Sequence, residues 1–208
     1  MLRLLSFFKG YKSILHLRLH YFYYSFAIIM IHIYKASLSD AASLTEFSRI
    51  VYQQHYLHLW HAGGAEWYMQ EYAYNAHKIL NELSDSNIEY FIAAENGQYL
   101  GYLKIILKVA FAENETKAAL EVERIYLQKS AMGRGLGRKF MELALHRAQK
   151  LKKDTIFLKA MDSSSDAIQF YKKLGYTVSD SLQLPMPEFS LMKKEFRGMV
   201  ILKKSVIV

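Results

Sequence analysis

Residues 119–151 have the sequence ALEVERIYLQKSAMGRGLGRKFMELALHRAQKL, which contains a strand pattern, a glycine-rich loop and a helix pattern in that order. Residues 119–127 have the composition of a β-strand, whereas apolar side chains recur from residue 136 onward at the spacing of a buried helix face. Between them lies Gly133-Arg134-Gly135-Leu136-Gly137, which holds three of the ten glycines in the chain. Their placement, directly after a strand and directly before a helix, is more informative than their number.

The glycine-rich loop has two interpretations on its composition alone. Glycines here let successive backbone N–H groups turn toward one point at the positive end of a helix dipole, which suits a phosphate. Arg134 and Arg138 flank the loop with cationic side chains that suit phosphate oxygens. The alternative is a tight turn that binds nothing. The spacing fits neither the dinucleotide fingerprint G-x-G-x-x-G nor the P-loop G-x-x-x-x-G-K-[ST].

The chain on both sides of this stretch alternates between strand and helix patterns. The patterns predict strands at 31–35, 88–94, 99–109, 119–127, 155–161 and 199–208, and helices from 39–40, over 69–83, from 136 and from 163–166 to 174. Asn96-Gly97 is a strong hairpin signal, and alternate residues from Tyr99 to Val109 should share one face of the following strand. The sequence therefore predicts one α/β domain, residues 30–208, with a mixed sheet.

The amino-acid composition excludes several kinds of functional site. The chain has 208 residues, 52% of them hydrophobic, and no cysteine. Disulfides, cysteine-ligated metal sites and a cysteine nucleophile are therefore excluded. Half of the net charge of +8 lies in residues 1–29, which contain no acidic residue. The modest excess that remains fits a phosphate-rich small ligand as well as a nucleic acid.

Residues 1–29 form a basic, aromatic extension whose composition differs from the rest. The uncharged run from Leu19 to Tyr34 has 16 residues, fewer than the roughly 20 that span a bilayer. Three interpretations stay open: an extension upstream of a start at Met30, an interfacial anchor or targeting segment, and ordinary structure. Membrane contact is expected only if this segment belongs to the native protein.

Met132 to Gly137 resembles the coenzyme A loop, [Q/R]-x-x-G-x-[G/A], of the GNAT superfamily of N-acetyltransferases. Gly135 and Gly137 match, and Met132 stands where Gln or Arg is usual. Residues 120–127 resemble the fourth strand of the family. Residues 164–176 are similar to its late helix, N-x-x-A-x-x-x-Y-x-x-x-G-[FY], with Ser164 at the Asn position and matches at Ala167, Tyr171, Gly175 and Tyr176.

The resemblance implies a GNAT-like fold, a mixed and mostly antiparallel sheet flanked by helices. It also implies transfer of an acetyl group from acetyl-coenzyme A to a primary amine, with no metal. The amino-acid sequence of residues 120–176 is also similar to that of bacterial family members that acetylate polyamines. The residues it implies for coenzyme A binding are Ile125, Tyr126, Leu127, Met132, Gly133, Arg134, Gly135, Leu136, Gly137, Arg138, Ser164 and Ala167.

Amine acetylation poses two proton problems. The amine, with a pKa near 10, must lose a proton, and a thiolate with a pKa of about 8.5 must gain one. Without cysteine, direct attack by the amine on the thioester is the simplest route. The resemblance implies Tyr171 as the acid for the thiolate. The alternative is a core tyrosine, because Ala167, Phe170 and Leu174 lie on the same helix stripe.

Glu121 and Glu123 are the candidates for the base. Alternation along the strand places both carboxylates on one face, and we expect Ile125 and Leu127 on that face as well. The alternative is a solvated face or carboxylates paired with nearby cations. Glu121 is slightly preferred on register, but the sequence does not separate the two.

His55, His58 and His61 are spaced three residues apart, which can indicate a metal site, but no carboxylate lies among them. We therefore expect a surface or substrate-wall role. A competing function is an acyl-coenzyme A-binding sensor or inactive member of the same fold, and a second is a basic nucleic-acid or membrane-surface module. We expect a small-molecule or peptide amine as the acceptor and no nucleic-acid partner. The protein is expected in the cytoplasm, and a homodimer is possible.

Overall fold

The computed structural model describes residues 30–110 and 119–206. The predictions for residues 1–29 and for the charged loop at 113–117 lie outside the described residues. Seven strands form one sheet in the order β1-β2-β3-β4-β5-β7-β6. The strands are β1 His32–Lys35, β2 Ile88–Glu95, β3 Gln98–Val109, β4 Ala119–Leu127, β5 Thr155–Met161, β6 Thr177–Gln183 and β7 Gly198–Ser205.

The sheet is mixed, as the sequence predicted. Only β4 and β5 pair in parallel, and the other five neighbouring pairs are antiparallel. A parallel pair needs a crossover between its strands, and the helix after the glycine-rich loop supplies it. The prediction of a mostly antiparallel α/β sheet is confirmed.

Five helices flank the sheet within the described residues. They are α1 Ala41–Tyr56, α2 Gly64–Trp67 with a π-helical continuation Tyr68–Ala73, α3 Ala76–Ser84, α4 Leu136–Lys150 and α5 Ser165–Lys173. One core cluster packs α4 and α5 on one face of the sheet, and a second packs α1 and α3 on the other. None of the described helices is long and apolar enough to cross a membrane.

Three details differ from the sequence predictions. The single helical pattern over 69–83 is wrong, because the chain breaks at Tyr74 and Asn75 caps α3 by accepting a hydrogen bond from Lys78 N at 2.8 Å. Strand β6 was not predicted, because its residues are mostly exposed and polar. A register shift against β2 leaves Leu100 unpaired, so Tyr99 packs on the face opposite Leu103.

A β-bulge in β4 decides where its side chains lie. Lys104 stands opposite Arg124 and Ile105 opposite Val122, so Glu123 is the extra residue. The prediction that Ile125 and Leu127 share the face of the two glutamates is therefore wrong. Both side chains pack against the core on the α4 side, while Glu121 and Glu123 line a cavity that reaches the other face.

Strands β4 and β5 separate near their C-terminal ends. Their pairing within the described residues runs from Leu120 and Ile156 to Val122 and Leu158 and then stops. Both strands continue beyond this point, β4 to Leu127 and β5 to Met161. The result is a gap in the sheet, directly before the glycine-rich loop.

Candidate active site

A cavity of about 430 Å³ occupies the gap between β4 and β5. Tyr52, Tyr68 and Tyr126 form part of its wall and belong to the core on the α1 side of the sheet. Ala167 and Tyr171 on α5 also line it, and Tyr171 packs against the core on the α4 side. A continuous sheet would separate these groups, so the gap is what allows them to share one cavity.

The glycine-rich loop ends at the N-terminus of α4. Gly133 and Gly135 have φ angles of 76° and 78°, a left-handed conformation that favours glycine. A Cβ atom at either position would meet nothing within 4 Å, so backbone conformation, not crowding, explains these two glycines. The first turn of a helix leaves backbone N–H groups without intrahelical partners. The loop and α4 therefore suit a phosphate group.

The side chains of the loop contribute differently from its backbone. Met132 and Arg138 are exposed. Arg134 forms an ion pair with Glu95 at the β2–β3 hairpin, with Nη1 donating to Oε2 at 3.2 Å. The hydrogen bonds from Arg134 lower the pKa of the Glu95 carboxyl. In this structure Arg134 thus joins the loop to the hairpin, and its contact with phosphate stays a prediction.

Helix α5 lies close to the start of α4. A Cβ atom on Gly137 would lie 3.4 Å from Cζ of Phe170, an ordinary van der Waals contact, so the two helices pack closely at this point. This packing places Ser164 and Ala167, both predicted to bind coenzyme A, in the wall of the cavity. Ser164 N-caps α5, and its side chain makes no capping hydrogen bond.

The end of β4 is held by α1. His55 Nε2 lies 2.9 Å from the carbonyl oxygen of Leu127, and Gln54 Oε1 accepts a hydrogen bond from Lys129 N at 3.1 Å. Ile125 and Tyr126 line the cavity, where their backbone borders the gap. The structure thus brings the predicted strand segment beside the predicted tyrosine.

Tyr171 is half-buried, and no hydrogen bond to its hydroxyl is found among the described residues. Its ring contacts Phe170 and Tyr176, at centroid distances of 5.2 and 6.2 Å. Burial raises the pKa of Tyr171 above the usual value, and nearby Tyr56 adds to the effect. The phenol is therefore protonated at neutral pH and free to donate into the cavity.

Glu123 is held by two cations. Lys104 Nζ lies 2.6 Å from its Oε2, and Arg124 Nη2 lies 3.1 Å from its Oε1. Burial alone would raise the pKa of Glu123, but Arg124 and Lys104 outweigh burial and lower it. A carboxylate with a lowered pKa is a weak base, so this geometry disfavours Glu123 as the proton acceptor.

Among the described residues Glu121 has one ionic partner. Lys159 Nζ on β5 lies 3.0 Å from its Oε1, and the Lys159 side chain is 40% exposed while that of Glu121 is 8% exposed. The contact with a partly exposed lysine is weaker than the two buried contacts of Glu123. Glu121 is therefore the better placed of the two candidate bases.

Sequence reasoning missed the tyrosine wall. Six of the sixteen tyrosines line the cavity: Tyr52, Tyr56, Tyr68, Tyr72, Tyr126 and Tyr171. The available signal was the spacing, because Tyr52 and Tyr56, and again Tyr68 and Tyr72, are four residues apart on helical turns. Stacked and tilted rings fix the wall, with Tyr52 and Tyr68 centroids 4.7 Å apart.

The three histidines do not converge. His55 contacts the Leu127 carbonyl, His58 packs edge-on against Phe196, and His61 is exposed. The helix ends at Tyr56, so the regular spacing of the histidines does not continue on one helix face. Within the described residues no group of three potential metal ligands is found.

Comparison with known families agrees with this geometry. The sequence model described as "Acetyltransferase (GNAT) family" matches residues 52–176, more than half of the chain. The chain belongs to the GNAT acetyltransferase family. The matched region contains the tyrosine wall, the gap, the glycine-rich loop and α5.

One curated relative matches about half of the chain at moderate sequence identity. A protein of Lactobacillus delbrueckii subsp. lactis, named as an uncharacterized N-acetyltransferase in the pepI 3' region, is 31% identical over 103 residues. The matching stretch is 50% of this chain and spans about 60% of the length of that relative.

Two solved structures share the fold. The PaiA N-acetyltransferase of Thermoplasma acidophilum, in complex with coenzyme A, has a TM-score of 0.67 at 21% identity, over 85% of this chain and 99% of its own. YncA of Salmonella typhimurium, with its cofactor acetyl-CoA, has a TM-score of 0.60 at 17% identity, over 86% and 95%. At these identities the likeness concerns the fold alone.

Proposed function

We propose that this protein transfers an acetyl group from acetyl-coenzyme A to a primary amine, by direct attack while both substrates are bound. The observation that carries the proposal is the cavity through the gap in the sheet. It leads from Ser164, Ala167 and Tyr171 at α5 to the tyrosine wall on the other face. Two substrates that approach from the two faces can meet there, and the chain has no cysteine to carry an acetyl group between them.

Acetyl-coenzyme A would be held mainly by backbone groups of the chain. The N–H groups of the loop at Gly133 to Gly137 and of the first turn of α4 suit its pyrophosphate, and the exposed Arg138 adds positive charge. The edge of β4 at Ile125 to Leu127 has backbone groups beside the gap for the pantetheine arm. Acetyl-coenzyme A supplies the activated acetyl group.

Tyr171 would donate the proton that the departing sulfur needs. Its raised pKa keeps the phenol protonated. Burial raises the pKa of a thiol in the same cavity as well, which offsets part of the difference in acidity between the phenol and the thiol, and the proton would move to sulfur as the carbon–sulfur bond breaks. The new bond joins the amine nitrogen to the acetyl carbon as the carbon–sulfur bond breaks.

Glu121 would accept a proton from the amine, directly or through a water molecule. An ammonium loses two protons when it becomes an amide, and one of them returns to the thiol, so the reaction releases one proton to solvent. Glu123, held ionised by Lys104 and Arg124, would act on the electrostatics of the cavity and not as the base.

Two measurements on the full chain test the proposal. Acetyl-coenzyme A should raise the melting temperature, and addition of a primary amine should release thiol, with Glu121→Gln slowing release at neutral pH more than Glu123→Gln. Stabilisation without amine-dependent thiol release would favour an acyl-coenzyme A-binding sensor, for which Met132 and Ser164 at two family positions are the motivating features. A cytoplasmic location and a homodimer stay predictions.

A further inference from the structure

The cavity wall combines aromatic rings with charges that are already paired. Its acceptor side is formed by Tyr52, Tyr56, Tyr68, Tyr72, Phe189 and Met192. Four charged residues line the cavity: Glu121, Glu123, Arg124 and Lys159. Each of these four forms an ion pair within the described residues, Glu121 with Lys159 and Glu123 with Arg124 and Lys104.

This pairing limits what the cavity can hold. A second ammonium group inside it would lose its hydration without gaining an unpaired carboxylate, and burying an unpaired charge is costly. The tyrosine faces offer cation–π attraction, which is weaker than the lost hydration. The exposed Glu188 beside Tyr72 lies outside the wall, where solvent weakens its attraction.

The apolar part of an acceptor amine would bind favourably in this cavity, whereas a second ammonium group would not. The ring of Tyr72 lies 5.5 Å from that of Tyr68 and 5.2 Å from that of Phe189, so the acceptor side presents contiguous aromatic surface. Leu184 and Met199 also line the cavity. Apolar surface of the amine that is removed from water by contact with these rings stabilises the bound amine.

We infer that the acceptor is a monoamine whose single amino group is carried on an aromatic or aliphatic body, and not a polyamine. The inference rests on the proposed function, because it names the substrate class of that reaction. It accounts for the four tyrosines on the acceptor side and requires no carboxylate in the wall besides Glu121.

The sharpest test uses two amines of equal size and similar basicity, hexylamine and 1,5-diaminopentane, which differ only in a terminal methyl or ammonium group. With saturating acetyl-coenzyme A, kcat/KM for hexylamine should exceed that for the diamine by at least about tenfold. Calorimetry with the coenzyme A complex should show the same order of affinity. Equal or better use of the diamine would overturn the inference and leave the proposed acetyl transfer intact. Thiol release with neither amine, nor with phenethylamine, would overturn both.

A variant adds an independent test. Leu184→Glu places an unpaired carboxylate in the cavity wall, and Leu184→Gln is its uncharged control of nearly the same size. The ratio of kcat/KM for the diamine to that for hexylamine should rise by about tenfold or more in the Glu variant and stay near the wild-type ratio in the Gln variant. An unchanged ratio in a Glu variant that melts normally and binds acetyl-coenzyme A would contradict the inference.

Discussion

The glycine-rich loop and the tyrosine-lined cavity are built in opposite ways. The loop is a contiguous stretch, Gly133 to Gly137, and offers backbone groups whose direction depends on two left-handed glycines. The cavity gathers side chains from α1, α2, β4, β5 and α5, and its character depends on which groups are charged and paired. We therefore expect the loop to be sensitive to backbone changes and the cavity to be sensitive to changes of single functional groups.

The largest expected effect is in the cavity. Tyr171→Phe keeps the ring contacts and removes the hydroxyl, so kcat should fall by roughly 10²–10⁴ while KM for acetyl-coenzyme A changes little. Because burial raises the pKa of Tyr171, no loss of wild-type kcat from this group should occur up to about pH 10. Steady-state thiol release over a pH series measures both. Retention of more than about half of kcat would show that Tyr171 serves only as packing.

The next effect concerns the support beneath the cavity. Lys104 is 2% exposed and bridges Glu82 and Glu123, at 2.8 and 2.6 Å. Lys104→Met should lower the free energy of unfolding by about 3–5 kcal/mol, because two partly buried carboxylates, 11% and 24% exposed, lose their shared buried cation. Denaturant unfolding measures this. The matched control is Lys35→Met, which removes a 58% exposed partner of Glu89 and should cost less than about 1 kcal/mol.

The same variant carries a pH dependence. Nearby cations lower the pKa of Glu123 despite its burial, so the ion pair stabilises the fold fully above the unfolded pKa of about 4.3. That contribution is lost as the pH falls through the lower folded value. The destabilisation by Lys104→Met should therefore be larger at about pH 7 than at pH 4. Equal destabilisation at both would mean that the loss comes from packing.

A smaller effect is expected at the loop. Gly135→Asp places a side chain and a negative charge where we expect pyrophosphate, so affinity for acetyl-coenzyme A should fall by more than about tenfold. The left-handed backbone should cost the fold only about 1 kcal/mol. Calorimetry together with a melting curve separates these two effects. Unchanged affinity in a normally folded variant would identify the loop as a turn that binds nothing.

The smallest effect distinguishes backbone from side chain within the loop. Arg134 is paired with Glu95, so Arg134→Gln should weaken acetyl-coenzyme A binding by less than about threefold if main-chain N–H groups carry the phosphate. The same calorimetric titration applies. A loss as large as that of Gly135→Asp would mean that Arg134 leaves Glu95 to bind phosphate, and would reverse the contrast between loop and cavity.

The sequence predicted those parts of the site that are local. The strand at 119–127, the loop and α4 follow from spacing and glycine placement, and the sheet is mixed as expected. The bulge at Glu123 was not predictable, because it depends on the pairing of β4 with β3. It moved Ile125 and Leu127 to the opposite face. The pairing of the glutamates with Lys104 and Lys159 likewise joins residues far apart in the chain.

The short pairing between β4 and β5 has a consequence for how products depart. Because the gap opens toward both faces of the sheet, each substrate in the proposed reaction would enter from its own face. The acetylated amine would then leave on a different face from coenzyme A. The order in which the two products leave would then be set by their affinities and not by the shape of a shared exit. In the proposed reaction, the early end of the pairing at Val122 and Leu158 would thus separate the routes of the two products.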